Sequence, residues 1–249
     1  MNKKFMLIAC AVFERECREC VEQSENSVDL KIVDQGLHDV GAQKMSAALQ
    51  AEIDAVDCEK YDAILLAYGL CNNGIQGLRS KITMVVPRAH DCITLLMGSR
   101  ERYKKYFDNN PGTYYQSVGW VENAKSHFDN PSSTTADMGF GTYKDYVEQY
   151  GEDNANYLME MMGDWLHNYS KLAYINTHVP GSAEYKEQEK ATAKERGWEF
   201  EEIDGNINLL LRLVNGNWLA DDFLVIPPGY TIQACHDDSI VETVLEHTP

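Results

Sequence analysis

"YDAILLAYGLC", residues 61–71, is an apolar run that stops at a glycine and a cysteine. It is too short for a helix of ordinary length, and nothing charged interrupts it after Asp62, so it reads as a strand buried on both faces. Working outward, the same pattern recurs at "KFMLIAC" (4–10), "VDLKIVDQGLH" (28–38) and "KITMVVPRAHDC" (81–92). Between these runs the spacing turns helical. "VFERECRECVEQ" follows the first, and "AQKMSAALQAEIDAV" (42–56) sets Met45, Leu49, Ile53 and Val56 on one face. "ITLLMGSRERYKKYF" (93–107) reads as one helix. Alternation of strand and helix predicts an α/β fold with a parallel, Rossmann- or flavodoxin-like sheet.

The rhythm breaks over 108–170, where "NNPGTYY" and "GWVENAKSHFDNPSSTTADMGFG" carry turn residues before a helical stretch. It resumes with "KLAYINT" (171–177), a helix over 182–197, "WEFEEIDG" (198–205), a helix over 206–216, and "DFLVIPPGYTI" (222–232) as a last buried strand. The expected organisation is an N-terminal α/β lobe (1–107), a mostly helical insertion (108–170) and a second α/β half (171–249).

The chain of 249 residues is ample for a core, and its formal net charge is −17, with 39 acidic against 22 basic residues. Such a field repels nucleic acid and anionic membranes, so neither is an expected partner. No run approaches the ~20 apolar residues of a membrane helix. "MNKKFMLIACAVF" runs straight into "ERECREC" with no small-residue cleavage site, so the expected location is the cytoplasm. There, the seven cysteines are expected to be reduced: buried, reactive or metal-binding.

In an open parallel sheet, ligands bind past the carboxyl ends of the strands, where strand order reverses. With a flavodoxin-like order, Cys10 ends the first strand, Cys71 follows the third, and His90 and Cys92 follow the fourth; His38 ends the second. Three thiols and an imidazole match the preferences of zinc. The three thiols also match a 4Fe-4S cluster with one open iron. A single strand-end cysteine would more often simply pack. Cys17 and Cys20 form a C-x-x-C inside a charged helix, Cys58 sits in a polar surface stretch, and Cys235 lies beyond the last strand with either a loop or a capping role. For substrate, Arg88 and Arg102 are candidate anchors of an acidic group. Tyr115 and Trp120, from "TYYQSVGW", are candidate walls for a cationic methylammonium group, and Tyr230 follows the rigid "PPG" turn. Each of these also has an ordinary role, as solvated charge or core aromatic.

At "YGLCNNGI", "PRAHDCITLLMGSRERY" and "PGTYYQSVGW", with "ACAVFERE" and "GLHD", the chain resembles the domain of unknown function family sixteen-thirty-eight. The resemblance covers the positions of Cys10, His38, Cys71, His90, Cys92 and Trp120, and leaves out Cys17, Cys20 and Cys58. It implies an association with anaerobic microbes and corrinoid-dependent methyltransferase systems, and brings no reaction with it. The resulting expectation is a metal-thiolate protein of one-carbon metabolism. Cys10, Cys71 and Cys92 would be ligands, and His90 a fourth ligand or a donor behind them. Zinc would hold a substrate thiol for methyl or alkyl transfer from a methylated amine or a corrinoid protein. The alternatives are an iron–sulfur enzyme on the same cysteines, a non-enzymatic corrinoid or metal-binding accessory protein, and a purely structural metal site.

Overall fold

The computed structural model describes residues 2–34, 41–71, 73–123, 147, 151–152 and 168–246. Most of the stretch expected to be a helical insertion, and His38, lie outside the described residues. The first sheet contains β1 (Lys4–Cys10), β2 (Ser27–Val33), β3 (Ala63–Ala67), β4 (Met84–Pro87) and β8 (Phe223–Ile226), in the order β2-β1-β3-β4-β8. The first four are mutually parallel, as expected from the alternating pattern. Every residue of β3 and β4 is buried, which explains why their sequences do not alternate.

Helix α1 (Glu14–Glu22) and helix α2 (Ala42–Asp54) supply the crossovers. Helix α2 buries Met45, Leu49 and Ile53, a stripe at i, i+4 and i+8. The stretch read as one helix after β4 is two: α3 (Cys92–Met97) and α4 (Arg100–Asn109). Gly98 takes φ 71° and closes α3 with its N–H on the Thr94 and Leu95 carbonyls, while the Ser99 hydroxyl accepts from the Arg102 N–H to open α4. A Cβ at Gly98 would sit 2.7 Å from the Asn206 carbonyl oxygen.

A second, parallel sheet has the order β5-β6-β7, from Thr113–Ser117, Lys171–Asn176 and Glu199–Asp204. So "TYYQS", placed by its sequence in an irregular middle, is a strand paired with β6. Helix α5 (Val118–Asn123) follows β5, α6 (Ser182–Arg196) joins β6 to β7, and α7 (Asn208–Val214) leads back to the first sheet. There β8 pairs antiparallel with β4. The run 222–232, expected as one strand, is divided by Pro227, Pro228 and Gly229 (φ 82°) into β8 and β9 (Tyr230–Ala234). Prolines lack the ladder donor and the glycine turns the chain. β9 forms an antiparallel hairpin with β10 (Val241–Leu245).

One apolar cluster runs from Phe5, Leu65 and Val85 in the first sheet to Ala173, Ile175 and Ile203 in the second. Among the described residues, no helix is long and apolar enough to cross a membrane.

Candidate functional site

The order β2-β1-β3-β4 puts the reversal of strand order between β1 and β3. Cys10 is the last residue of β1, and a 3-10 turn over Ala11–Phe13 follows it. The backbone N–H groups of Val12 and Ala11 are directed at the Cys10 sulfur. Past β3, the segment Tyr68–Cys71 is stitched to the exit of β4. The Leu70 N–H donates to the Ala89 carbonyl (2.7 Å), and the Cys71 N–H donates to that of His90 (2.9 Å). A Cβ at Gly69 would lie 2.8 Å from the Asp91 backbone nitrogen, so only glycine permits this approach. Cys71 then adopts φ 45°, a left-handed conformation that costs a non-glycine residue about 1–3 kcal/mol. The Gly69 N–H is directed at its sulfur. Cys92 opens α3, behind the N-cap Asp91, whose carboxylate accepts the Thr94 N–H at 3.1 Å.

The second sheet covers this rim. A Cβ at Gly119 would fall 1.9 Å from the Val12 carbonyl oxygen, so α5 lies directly on the turn after β1. The Asn123 side-chain amide donates to the Ala11 carbonyl at 3.2 Å. Trp120, one residue after Gly119, brings its indole to the Cys92 side of the rim.

Cys10, Cys71 and Cys92 are all buried; the charge of Cys10 acts on Cys71 and Cys92, and on Cys17 as well. Burial pushes the Cys10 thiol up to about 11, with its N–H donors opposing. Burial also raises Cys71, helped by Cys10 and Asp91, and raises Cys92, helped by Asp91 and Cys71. Backbone N–H groups directed at Cys10 and Cys71 oppose this rise, and the Trp120 indole opposes it at Cys92 without reaching hydrogen-bond geometry. Cys17 and Cys20 are fully buried in α1, and burial is the largest cause of the rise in both thiols. The Cys20 thiol points toward the Ile207 carbonyl, at 3.9 Å. Among the described residues, no three His, Cys, Asp or Glu side chains stand at metal-ligand separation.

The other candidates separate. His90 is exposed, and lines a cleft of 680 Å³ with Asp91, Tyr103, Lys104 and Phe107 instead of joining the buried thiols. The Arg88 guanidinium is engaged by backbone carbonyls, those of Ala220 (2.8 Å), Ser239 (2.8 Å) and Val241. Arg102 likewise binds the carbonyls of Met97 and Asp204. Both arginines tie segments together instead of facing an acidic ligand. Tyr115 stacks edge-on with Tyr103 and Tyr106 between α4 and the second sheet, at 5.7 and 6.0 Å. Tyr230 begins the hairpin opposite Leu245. Cys58 and Cys235 are half-buried; the Cys58 thiol points at the Val56 carbonyl, and the Cys235 N–H closes the β9–β10 turn on Ile240, beside the cleft that His90 lines.

One residue of the rim escaped the sequence reading. Tyr68, the first residue after β3, is 1% exposed and has Cys10, Cys71 and Cys17 as its main electrostatic neighbours. Among the described residues its hydroxyl has no hydrogen-bond partner. The available signal was its place at the carboxyl end of a central strand.

A family profile described as Protein of unknown function (DUF1638) matches residues 32–214. That stretch includes Cys71, Cys92 and Trp120, and starts after Cys10. Comparisons with curated proteins and with solved structures return no match. The profile spans well over half of the sequence, and the chain therefore belongs to this family of proteins of unknown function.

Proposed function

We propose that the rim between β1 and β3 is a thiolate site for a thiophilic metal, zinc in the leading reading, in a cytoplasmic protein of anaerobic one-carbon metabolism. The site would bind a small-molecule thiol and make it the acceptor of a methyl or alkyl group, with a methylated amine or a methylcorrinoid protein as donor. The observation that carries the reading is the position of three buried cysteines, from three segments, past the carboxyl ends of neighbouring strands β1, β3 and β4.

The donor set suits a soft cation, whose charge offsets the desolvation that otherwise keeps these thiols protonated. As they stand, the sulfurs form no ready three-ligand group among the described residues, so binding must draw them together. Bound there, the metal would hold a substrate thiol as its thiolate. The N–H groups of Ala11, Val12 and Gly69 would favour the charged sulfurs once a cation offset their burial, and α5 would lie over them. In the transfer, the thiolate lone pair forms the new S–C bond. The donor–carbon bond breaks, and its electron pair leaves with the donor. The thiol proton passes to solvent when the thiol binds.

Exposure of His90 favours a second reading, a 4Fe-4S cluster on the same sulfurs, since three thiolates without an imidazole are the donor set of a cluster with one open iron.

Purification without oxygen and elemental analysis test both readings. Wild-type protein is expected to carry stoichiometric zinc. Cys10→Ser, Cys71→Ser and Cys92→Ser are each expected to lose it, and Cys17→Ser to keep it. Iron with inorganic sulfide in a brown protein selects the cluster reading. Metal-free wild type, or equal loss from Cys17→Ser, contradicts the site. Metal retention with no alkyl transfer to any thiol selects an accessory role.

A further inference from the structure

We propose that the cleft at the exit of β4 binds a small organic cation with an apolar body, of the methylated-ammonium class. None of Cys10, Cys71 and Cys92 lines this cleft, and the proposal holds whether or not those cysteines bind a metal.

The cleft, of 680 Å³, lies between the end of β4, helix α4 and the β9–β10 turn. It is at the carboxyl edge of the parallel strands, where open α/β sheets take their ligands. One wall is an aromatic corner. Tyr103 and Phe107 stand one turn apart on α4, with ring centroids 5.9 Å apart and planes at 68°. Phe107 is 56% exposed, so its ring adds little to the core. Two rings at such a steep angle can each turn a face to one guest, the arrangement that holds quaternary ammonium groups. Tyr115 and Trp120, the rings that the sequence offered for such a guest, do not line this cleft.

The charge has the matching sign. Asp91, Glu101, Asp108 and Asp238 line the cleft against two permanent cations, Arg100 and Lys104. Lys104 is held by Asp108 at 2.9 Å. Arg100 gives its terminal nitrogens to the backbone carbonyls of Asp238 and Asp221. An excess of carboxylate remains. The opposite wall is set before any ligand arrives. Arg88 and Arg100 both clamp the β9–β10 turn by its carbonyls. Ile240, in that turn and in the lining, holds φ 63°, a left-handed conformation that β-branched residues avoid. Strain of this kind gathers at ligand sites. The Arg100 Nε is buried and has no partner among the described residues, which makes a carboxylate the rival guest.

The test uses the full chain, dialysed free of metal, as wild type, Phe107→Leu and Asp238→Asn. All three are titrated with choline, with its uncharged isostere 3,3-dimethylbutan-1-ol and with acetate, followed by NMR of the ligand methyl signals. Choline is expected to bind wild type about tenfold more tightly than the isostere. Phe107→Leu keeps an apolar side chain at an exposed position. It is expected to weaken choline about fivefold and to leave the isostere unchanged. Asp238→Asn is expected to weaken choline about threefold. Equal affinity for choline and the isostere, or choline binding indifferent to Phe107→Leu, overturns the proposal. Acetate binding that Asp238→Asn strengthens gives the cleft to Arg100 and overturns it too, as does wild type that binds none of the three. The metal-thiolate reading can fail without touching this result, because the sample holds no metal.

Discussion

Burial holds all five core cysteines neutral; Cys10 and Cys71 differ in that backbone N–H groups directed at their sulfurs oppose the rise. Other buried acids test the electrostatics independently. Glu189 in α6 is 3% exposed, and burial pushes its carboxyl up to about 7. Its folded value lies above the unfolded one. Its stabilising effect is therefore complete below the ordinary carboxylate range and fades as pH rises through about 7. Glu189→Gln is expected to flatten that decline, and to stabilise the protein at pH 8 by roughly 2–3 kcal/mol over wild type. Urea melts from pH 5 to pH 8 check it, and parallel curves for the two proteins would show Glu189 to be neutralised by a partner. At this scale the strand-end placement of Cys10, Cys71 and Cys92 was legible, because strand ends in a parallel sheet share one edge; their part as ligands is the proposal. Tyr68 was not, since an aromatic after an apolar run ordinarily packs. The partners of Arg88 and Arg102, such as the Ser239 and Asp204 carbonyls, were not legible because they come from distant segments.

Between elements, glycine decides what can touch. Gly69 lets the exit of β3 lie against that of β4, and Gly119 lets α5 lie on the turn after β1. At Gly119 the conflict for any larger residue is with backbone, which has little room to yield. Gly119→Ala is therefore expected to lower stability by about 2 kcal/mol. It is also expected to lift Trp120 from Cys92, so that iodoacetamide labels Cys92 faster than in wild type, followed by peptide mass spectrometry. Unchanged labelling with unchanged stability would mean that α5 does not cover the sulfur. The division of α3 from α4 was readable from Gly98 and Ser99, a C-cap beside an N-cap, but apolar spacing continues across them and masks it. The division of β8 from β9 was equally present in "PPG".

For the molecule as a whole, the alternation of apolar runs and amphipathic helices carried the order β2-β1-β3-β4, because right-handed crossovers leave few other arrangements. Periodicity says nothing of which distant strands pair. That β8 returns to β4 from the far end of the chain, and that β5 belongs to a second sheet, depended on contacts no local window contains. Those pairings bring the second sheet and Trp120 over the rim, where Arg15 of α1 grips Glu122 of α5 through two hydrogen bonds and Tyr185 of α6 adds a third. The whole arrangement has a chemical purpose only if the three rim sulfurs act on one centre. X-ray absorption at the metal edge, on protein purified without oxygen, addresses that directly. The account predicts three protein sulfurs at about 2.3 Å from the metal in wild type, and fewer in Cys92→Ser. A first shell of nitrogen and oxygen alone, or one that Cys92→Ser leaves intact, would contradict it.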